Sequence, residues 1–184
     1  YGDHRDLHSF PTRRSSDLNA RVFALLNMAI SDGLVAVMES KYFYTFWRPE
    51  TAIRNGDTDG NPVTIGDPTF MPFITTPCFP GYPSAHAAAS YAARGILQRL
   101  LDGGHHPVAL SSAAVPGVVL TYHRFREITD DIDDARVFGG IHFRFDQEAG
   151  AVQGGRIASF LVRHALRSLR DGDDDRRDVD RGDD

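Results

Sequence analysis

The sequence predicts an all-α fold, a helical bundle interrupted by one long loop. Three observations carry that expectation. Two long stretches return apolar residues every three to four positions, an alanine-rich run follows the turn "FPGYP", and residues 51–83 are dense in Gly, Pro, Asn and Asp. At 184 residues the chain has the length of one domain with a sizeable core.

In the first segment, residues 19–49, Val22, Leu25, Leu26, Ala29, Ile30, Leu34, Val37 and Met38 fall at helical steps. That pattern is an amphipathic helix packed against something large, and Pro49 ends it. Residues 51–83 read as a loop, and loops of that size inside compact domains are often functional. A second helix is expected from Ser84 to about Leu101, broken by "DGGHHP". "AVPGVVLTYHRFREIT" fits a strand, a loop or a short helix equally well. "DDIDDARVFGGIHFRFD" has an acidic start suited to a helix N-terminus, and Gly139 and Gly140 loosen it before His142. A further amphipathic helix runs from Gln147 to about Leu169.

Both ends differ in character. Residues 1–18, "YGDHRDLHSFPTRRSSDL", have no helical or strand periodicity and match one reading frame of a widely used sequencing adapter. They are expected to be a non-native scar, which makes the domain, residues 19–170, N-terminally truncated. Residues 171–184 form an acidic tail with eight aspartates and too few apolar groups to offset the entropy of ordering. It lacks the ligand spacing of a calcium loop. The formal charge of −5 resides in that tail, since residues 19–170 balance to zero. No nucleic-acid surface is expected. Cys78 is the single cysteine, which excludes an internal disulfide and a cysteine-built zinc site. No apolar run long enough for a membrane span is expected, the most apolar stretch being broken by Pro116.

Three features carry chemistry. The chain has nineteen arginines and one lysine, Lys41, seven residues before Arg48. Two helical turns would place both cations on one face, and the bland alternative is a pair of solvated charges. In "PSAH" Ser84 and the first free backbone N–H groups of a helix form an anion cradle. Small Ala85 admits the anion, and His86 stands at the rim as a proton carrier. The bland alternative makes Ser84 an N-cap and His86 a packed or solvated side chain. In "ARVFGGIHFRFD" a cation (Arg136), an imidazole (His142) and a carboxylate (Asp146) can converge, with Asp146 holding one ring nitrogen. An Arg144–Asp146 surface pair is the alternative there. His105, His106, His123 and His164 suggest no role, and His4 and His8 lie in the terminal scar.

Taken in order, "KYFYTFWRP", "PSAH" and "ARVFGGIHFRFD" resemble the signature of the superfamily that joins vanadium-dependent haloperoxidases with type 2 phosphatidic acid phosphatases and bacterial acid phosphatases. The departures are Ala85 in a glycine place and Ala135 in a serine place. The resemblance implies a helical bundle around a tetrahedral oxyanion. Lys41, Arg48 and Arg136 would neutralise it, and Ser84 and the Ala85 N–H would donate to it. His142 would bond its central atom, Asp146 would orient His142, and His86 would be the acid–base group.

That cradle supports two chemistries. With vanadate as cofactor, His142 is the metal ligand, Lys41 activates hydrogen peroxide, and halide is oxidised to hypohalous acid. With a phosphoester as substrate, His142 is the nucleophile of a phosphohistidine intermediate and His86 serves the leaving group. The haloperoxidase branch is favoured by "FWRPETAIR", by "FPGYPSAH", and by Phe79, which matches an aromatic of the chloroperoxidases. A truncated, inactive anion-binding fragment is the third reading. Export to the periplasm or outside the cell is implied by family analogy alone.

Overall fold

The computed structural model describes residues 11–101 and 107–167. The terminal segments 1–10 and 168–184, and with them His4, His8 and the acidic tail, lie outside the described residues, as do His105 and His106. The elements are α1 (Pro11–Tyr44), α2 (Pro49–Arg54), a 3-10 turn (Gly56–Thr58), α3 (Ala85–Leu100), β1 (Val108–Ser112), β2 (Val115–Tyr122), α4 (Phe125–Phe138) and α5 (Arg144–His164).

Helix α3 is the centre of the bundle and packs against α1, α4 and α5. Its alanines explain why. Ala87, Ala88 and Ala92 are fully buried, and the neighbouring helices meet them with glycines. A Cβ on Gly33 of α1 would sit 3.4 Å from the Ala88 carbonyl oxygen and 3.6 Å from Ala92 Cβ. A Cβ on Gly154 of α5 would overlap that same Ala88 oxygen. Side chains at this seam have been reduced until backbones approach directly. Beyond the seam, Leu25, Ala29, Ala92, Ile96, Ala158 and Leu161 form the apolar core.

Five boundaries differ from the sequence reading, one of them the end of α5, which falls at His164 rather than about Leu169. α1 begins at Pro11, so residues 11–18 are helical despite their lack of apolar periodicity. Once a turn has formed, each further residue adds a hydrogen bond at little extra entropic cost. α1 also stops at Tyr44, and Arg48 is the N-cap of α2 rather than a continuation of α1. The expectation that Lys41 and Arg48 share a helix face is therefore wrong. Pro49 starts a helix, at the N1 position where its missing N–H is harmless. α4 begins at Phe125, where Glu127 Oε2 accepts the His123 N–H at 2.7 Å, so the acidic run 130–134 lies inside the helix. α5 begins at Arg144, which puts Asp146 in its first turn.

The segment left open between strand and helix is an antiparallel hairpin pairing Val108 with Tyr122, with a bulge at Ser111/Ser112. It is exposed apart from half-buried Val108 and buried Tyr122, whose hydroxyl donates to Asp131 at 2.8 Å. The long loop is as expected, except that α2 and the 3-10 turn occupy its start. It is pinned back by Asp67 N–H to the Ile53 carbonyl (2.9 Å) and by Arg54 Nε to the Phe70 carbonyl (2.9 Å).

One membrane expectation is corrected. Among the described residues, the stretch Ser16–Arg54 is long and apolar enough by length and composition to cross a bilayer. The reason is that α1 carries apolar residues on both faces. Leu25, Ala29 and Val37 are buried, while Leu18, Phe23, Leu34 and Val35 are exposed.

Candidate active site

The site lies at one end of the bundle, where chain direction brings together opposite helix ends. The C-terminal turns of α1 and α4 deliver Lys41 and Arg136, and the N-termini of α3 and α5 deliver Ser84 and Asp146. Gly139 and Gly140 make the reversal from α4. Gly140 has φ +77°, a backbone state that a side chain disfavours, and its N–H donates to the Val137 carbonyl at 2.9 Å. The chain turns back within a few residues, so Arg136 and His142 reach one site.

His142 and Asp146 are both buried, and Nδ1 of the imidazole lies 2.8 Å from Asp146 Oδ2. That oxygen also accepts the Phe143 N–H at 3.1 Å. The other ring nitrogen, Nε2, lies 3.0 Å from Arg48 Nη1. Guanidinium only donates, so Nε2 is the acceptor and the ring proton belongs on Nδ1, directed at Asp146. Burial pushes the His142 pKa down, the Asp146 hydrogen bond opposes that, and the Arg48 charge adds to the depression. The ring is neutral at neutral pH, with its lone pair on Nε2. The alternative pairing of Arg144 with Asp146 is not formed, since Arg144 bonds Asp134 at 2.7 Å.

Lys41 is fully buried, and its Nζ donates to the carbonyls of Pro80 (2.9 Å) and Gly81 (2.7 Å). Burial first, and then the Arg48 charge, lower its pKa from the ordinary 10.5 to about 7, with Asp146 opposing. Arg48 donates from Nε to the Phe79 carbonyl (3.1 Å) and from Nη1 to the Ile141 carbonyl (2.8 Å). Both cations stand over the Phe79 ring, at 5.4 Å for Lys41 and 5.2 Å for Arg48, in the range of a cation–π contact. The three carbonyls of residues 79–81 are the part of the site that side-chain patterns could not announce. Phe79 itself was legible through the resemblance.

Ser84 is buried and N-caps α3, its Oγ accepting the Ala87 N–H at 3.3 Å. The capping role is thus present, and the hydroxyl proton remains for a ligand. Its own N–H donates to the Asp146 carbonyl at 2.8 Å, which ties the start of α3 to the start of α5. Ala85 is half-buried beside it, and His86 is exposed at the rim. Partial burial and the charges of Arg136, Lys41 and Arg48 push the His86 pKa down, so all three cations act on this ring. Burial also lowers the Arg136 pKa. His123 is exposed, and His164 stacks on Phe160 at 4.5 Å, both away from this cluster.

Among the described residues, two buried donors of this cluster, Arg48 Nη2 and Arg136 Nε, have no hydrogen-bond partner, as has Arg94 Nε on α3. Buried guanidinium groups are normally saturated with acceptors, so these two donors leave room for an acceptor that the described residues do not supply. The N-termini of α3 and α5 bring partial positive charge to this end, and the C-termini of α1 and α4, beside Lys41 and Arg136, bring partial negative charge.

Fold and site together define a helical bundle with three cations and a buried His–Asp pair gathered at one end. The model of the VCPO second helical-bundle domain matches residues 21–171, and the chain belongs to that family. It is 34% identical over 95 residues to vanadium chloroperoxidase of Curvularia inaequalis, a match covering 46% of this chain and 15% of that protein. Among solved structures it is similar to a bacterial vanadium-dependent iodoperoxidase, with TM-score 0.69 and 25% identity, over 82% of this chain and 35% of that one. A bacterial vanadium-dependent chloroperoxidase in its holo form shares the fold, with TM-score 0.57 and 22% identity, over 74% of this chain and 34% of that one. The chain thus spans 15% of the curated relative and about a third of these solved structures.

Proposed function

We propose that this chain carries the oxyanion site of a vanadate-dependent haloperoxidase, which oxidises halide with hydrogen peroxide to hypohalous acid. The observation that carries the reading is His142. It is a buried neutral imidazole, proton-anchored on Asp146, whose Nε2 lone pair faces the cluster that also holds Lys41, Arg48 and Arg136.

The residues present fit vanadate. Arg48 Nη2 and Arg136 Nε are donors in need of an anion, the Ser84 hydroxyl and the Ala85 N–H add two more, and Nε2 of His142 is a metal-ligand nitrogen of the right protonation state. Bound vanadate supplies a Lewis acid that activates peroxide toward halide without a change in its own oxidation state. The chain's own residues do the rest. Asp146 holds the His142 proton on Nδ1. Arg48, whose Nη1 contacts Nε2, would give up that contact for the anion and leave the Nε2 lone pair free as a ligand. Lys41, which a bound anion would hold as the ammonium, would donate a proton of its Nζ to the reacting oxygens. His86, held largely neutral at the rim, takes up a proton from the entering peroxide. Phe79 lies under Lys41 and Arg48, and its match to an aromatic of the chloroperoxidases supports chloride-type chemistry.

The phosphatase reading uses the same imidazole as a nucleophile, because a vanadate cradle also suits a phosphoryl group in transfer. Bromination of monochlorodimedone with peroxide and vanadate, run beside turnover of p-nitrophenyl phosphate, separates the two. Bromination alone supports the proposal, and phosphate release alone replaces it with the phosphatase. Vanadate binding by calorimetry without either turnover identifies an anion-binding piece of a longer enzyme. No vanadate binding overturns the site.

A further inference from the structure

Helix α4 brings Arg136 to the site, yet it holds the bundle in an unusual way. Its two buried residues are Thr129 and Asp133, and both are polar. Each bonds to α3. Tyr91 Oη donates to Asp133 Oδ2 at 2.9 Å, and Arg94 Nη1 donates to Thr129 Oγ1 at 2.7 Å. The Arg94 guanidinium lies over the Tyr91 ring at 4.1 Å, joining the two rungs on the α3 side. Asp133 is one helical turn before Arg136, about 4.5 Å along the axis, and Tyr91 is two turns from Ser84. Apolar packing is non-directional and tolerates sliding, whereas paired hydrogen bonds fix both register and rotation.

We infer that the Tyr91–Asp133 bond, supported by Arg94–Thr129, is a polar latch that sets α4 on α3 and so places the Arg136 guanidinium against the oxyanion. Tyr91 and Asp133 are positioning residues, acting through Arg136. The inference rests on the oxyanion site proposed above.

Calorimetric titration of the 184-residue chain with orthovanadate tests it. Tyr91→Phe keeps the ring over Arg94 and removes one donor, and the dissociation constant should rise about five- to tenfold. Asp133→Ala should do the same, and the double variant should be no worse than either single one. Asp133→Asn keeps an acceptor for Tyr91 and should bind within twofold of the parent. Leu25→Ala, a core change at the other end of the bundle, should lower the melting temperature and leave the constant unchanged. In the vanadate-saturated protein the Arg136 Nε–H resonance should shift in Tyr91→Phe and stay in place in Leu25→Ala. A parent that binds vanadate, with Tyr91→Phe binding equally well, overturns the latch alone. A parent that binds no vanadate overturns the site reading and the latch with it.

Discussion

Lys41 gives the sharpest test of the site's electrostatics. Its ammonium is buried against Arg48 and its pKa falls from 10.5 to about 7. Between those values the unfolded chain holds a proton that the folded one has released. Stability therefore rises with pH through this window, by about 1.4 kcal/mol for each pH unit, and the gain is absent below pH 7. A neutral amine has two protons, and the Pro80 and Gly81 carbonyls accept both. Lys41→Met removes the titration and leaves those carbonyls without donors, a penalty of about 1–3 kcal/mol that does not vary with pH. From pH 7.5 to 9.5 the parent should thus gain roughly 2–3 kcal/mol over Lys41→Met, read as the difference in urea-unfolding free energy. Vanadate should flatten the slope, because a bound anion favours the ammonium, and its affinity should fall as pH rises above 7. Parallel stability curves for parent and variant across that range would refute a depressed, buried lysine.

Asp146→Asn should keep the fold and weaken vanadate binding about 10- to 100-fold, since the carboxylate that anchors the His142 Nδ1 proton is replaced by a neutral amide; titration calorimetry measures it, and ring-nitrogen shifts should show mixed tautomers. Gly154→Ala should cost about 1–3 kcal/mol or more, because the new methyl meets the Ala88 oxygen and lies 2.8 Å from the Ala92 nitrogen. Gly155→Ala, whose methyl meets nothing within 4 Å, should instead stabilise the helix by about 0.5–1 kcal/mol. Urea midpoints of the two neighbours decide both, and equal shifts would remove the close seam as the cause.

The helical architecture was legible because apolar spacing is a local signal. Leu25, Ala29 and Val37 recur at helical steps, and those residues are the buried ones. The three motif fragments likewise name side chains that converge. What the sequence concealed was relational. Lys41 and Arg48 are seven residues apart and were expected on one helix, but the helix ends between them, and they meet instead through loop 79–81. That meeting depends on backbone carbonyls, which every residue possesses and no pattern marks. The hairpin at 108–122 was ambiguous because its strands are exposed and lack the polar–apolar alternation that a half-buried sheet imposes. The polar register of α4 depends on partners 35 and 42 residues away, Arg94 and Tyr91, which carry no signal in their own neighbourhoods.

The way the loop holds Lys41 and Arg48 has one more consequence. A carboxylate in that position would have cancelled their formal charge permanently. Peptide dipoles hold Lys41 Nζ, Arg48 Nε and one Arg48 Nη1 contact without adding a formal negative charge, and Arg48 Nη2 is left over. On the proposed function, an arriving oxyanion would compete with neutral carbonyls for Lys41 and Arg48 rather than with a carboxylate paired to them.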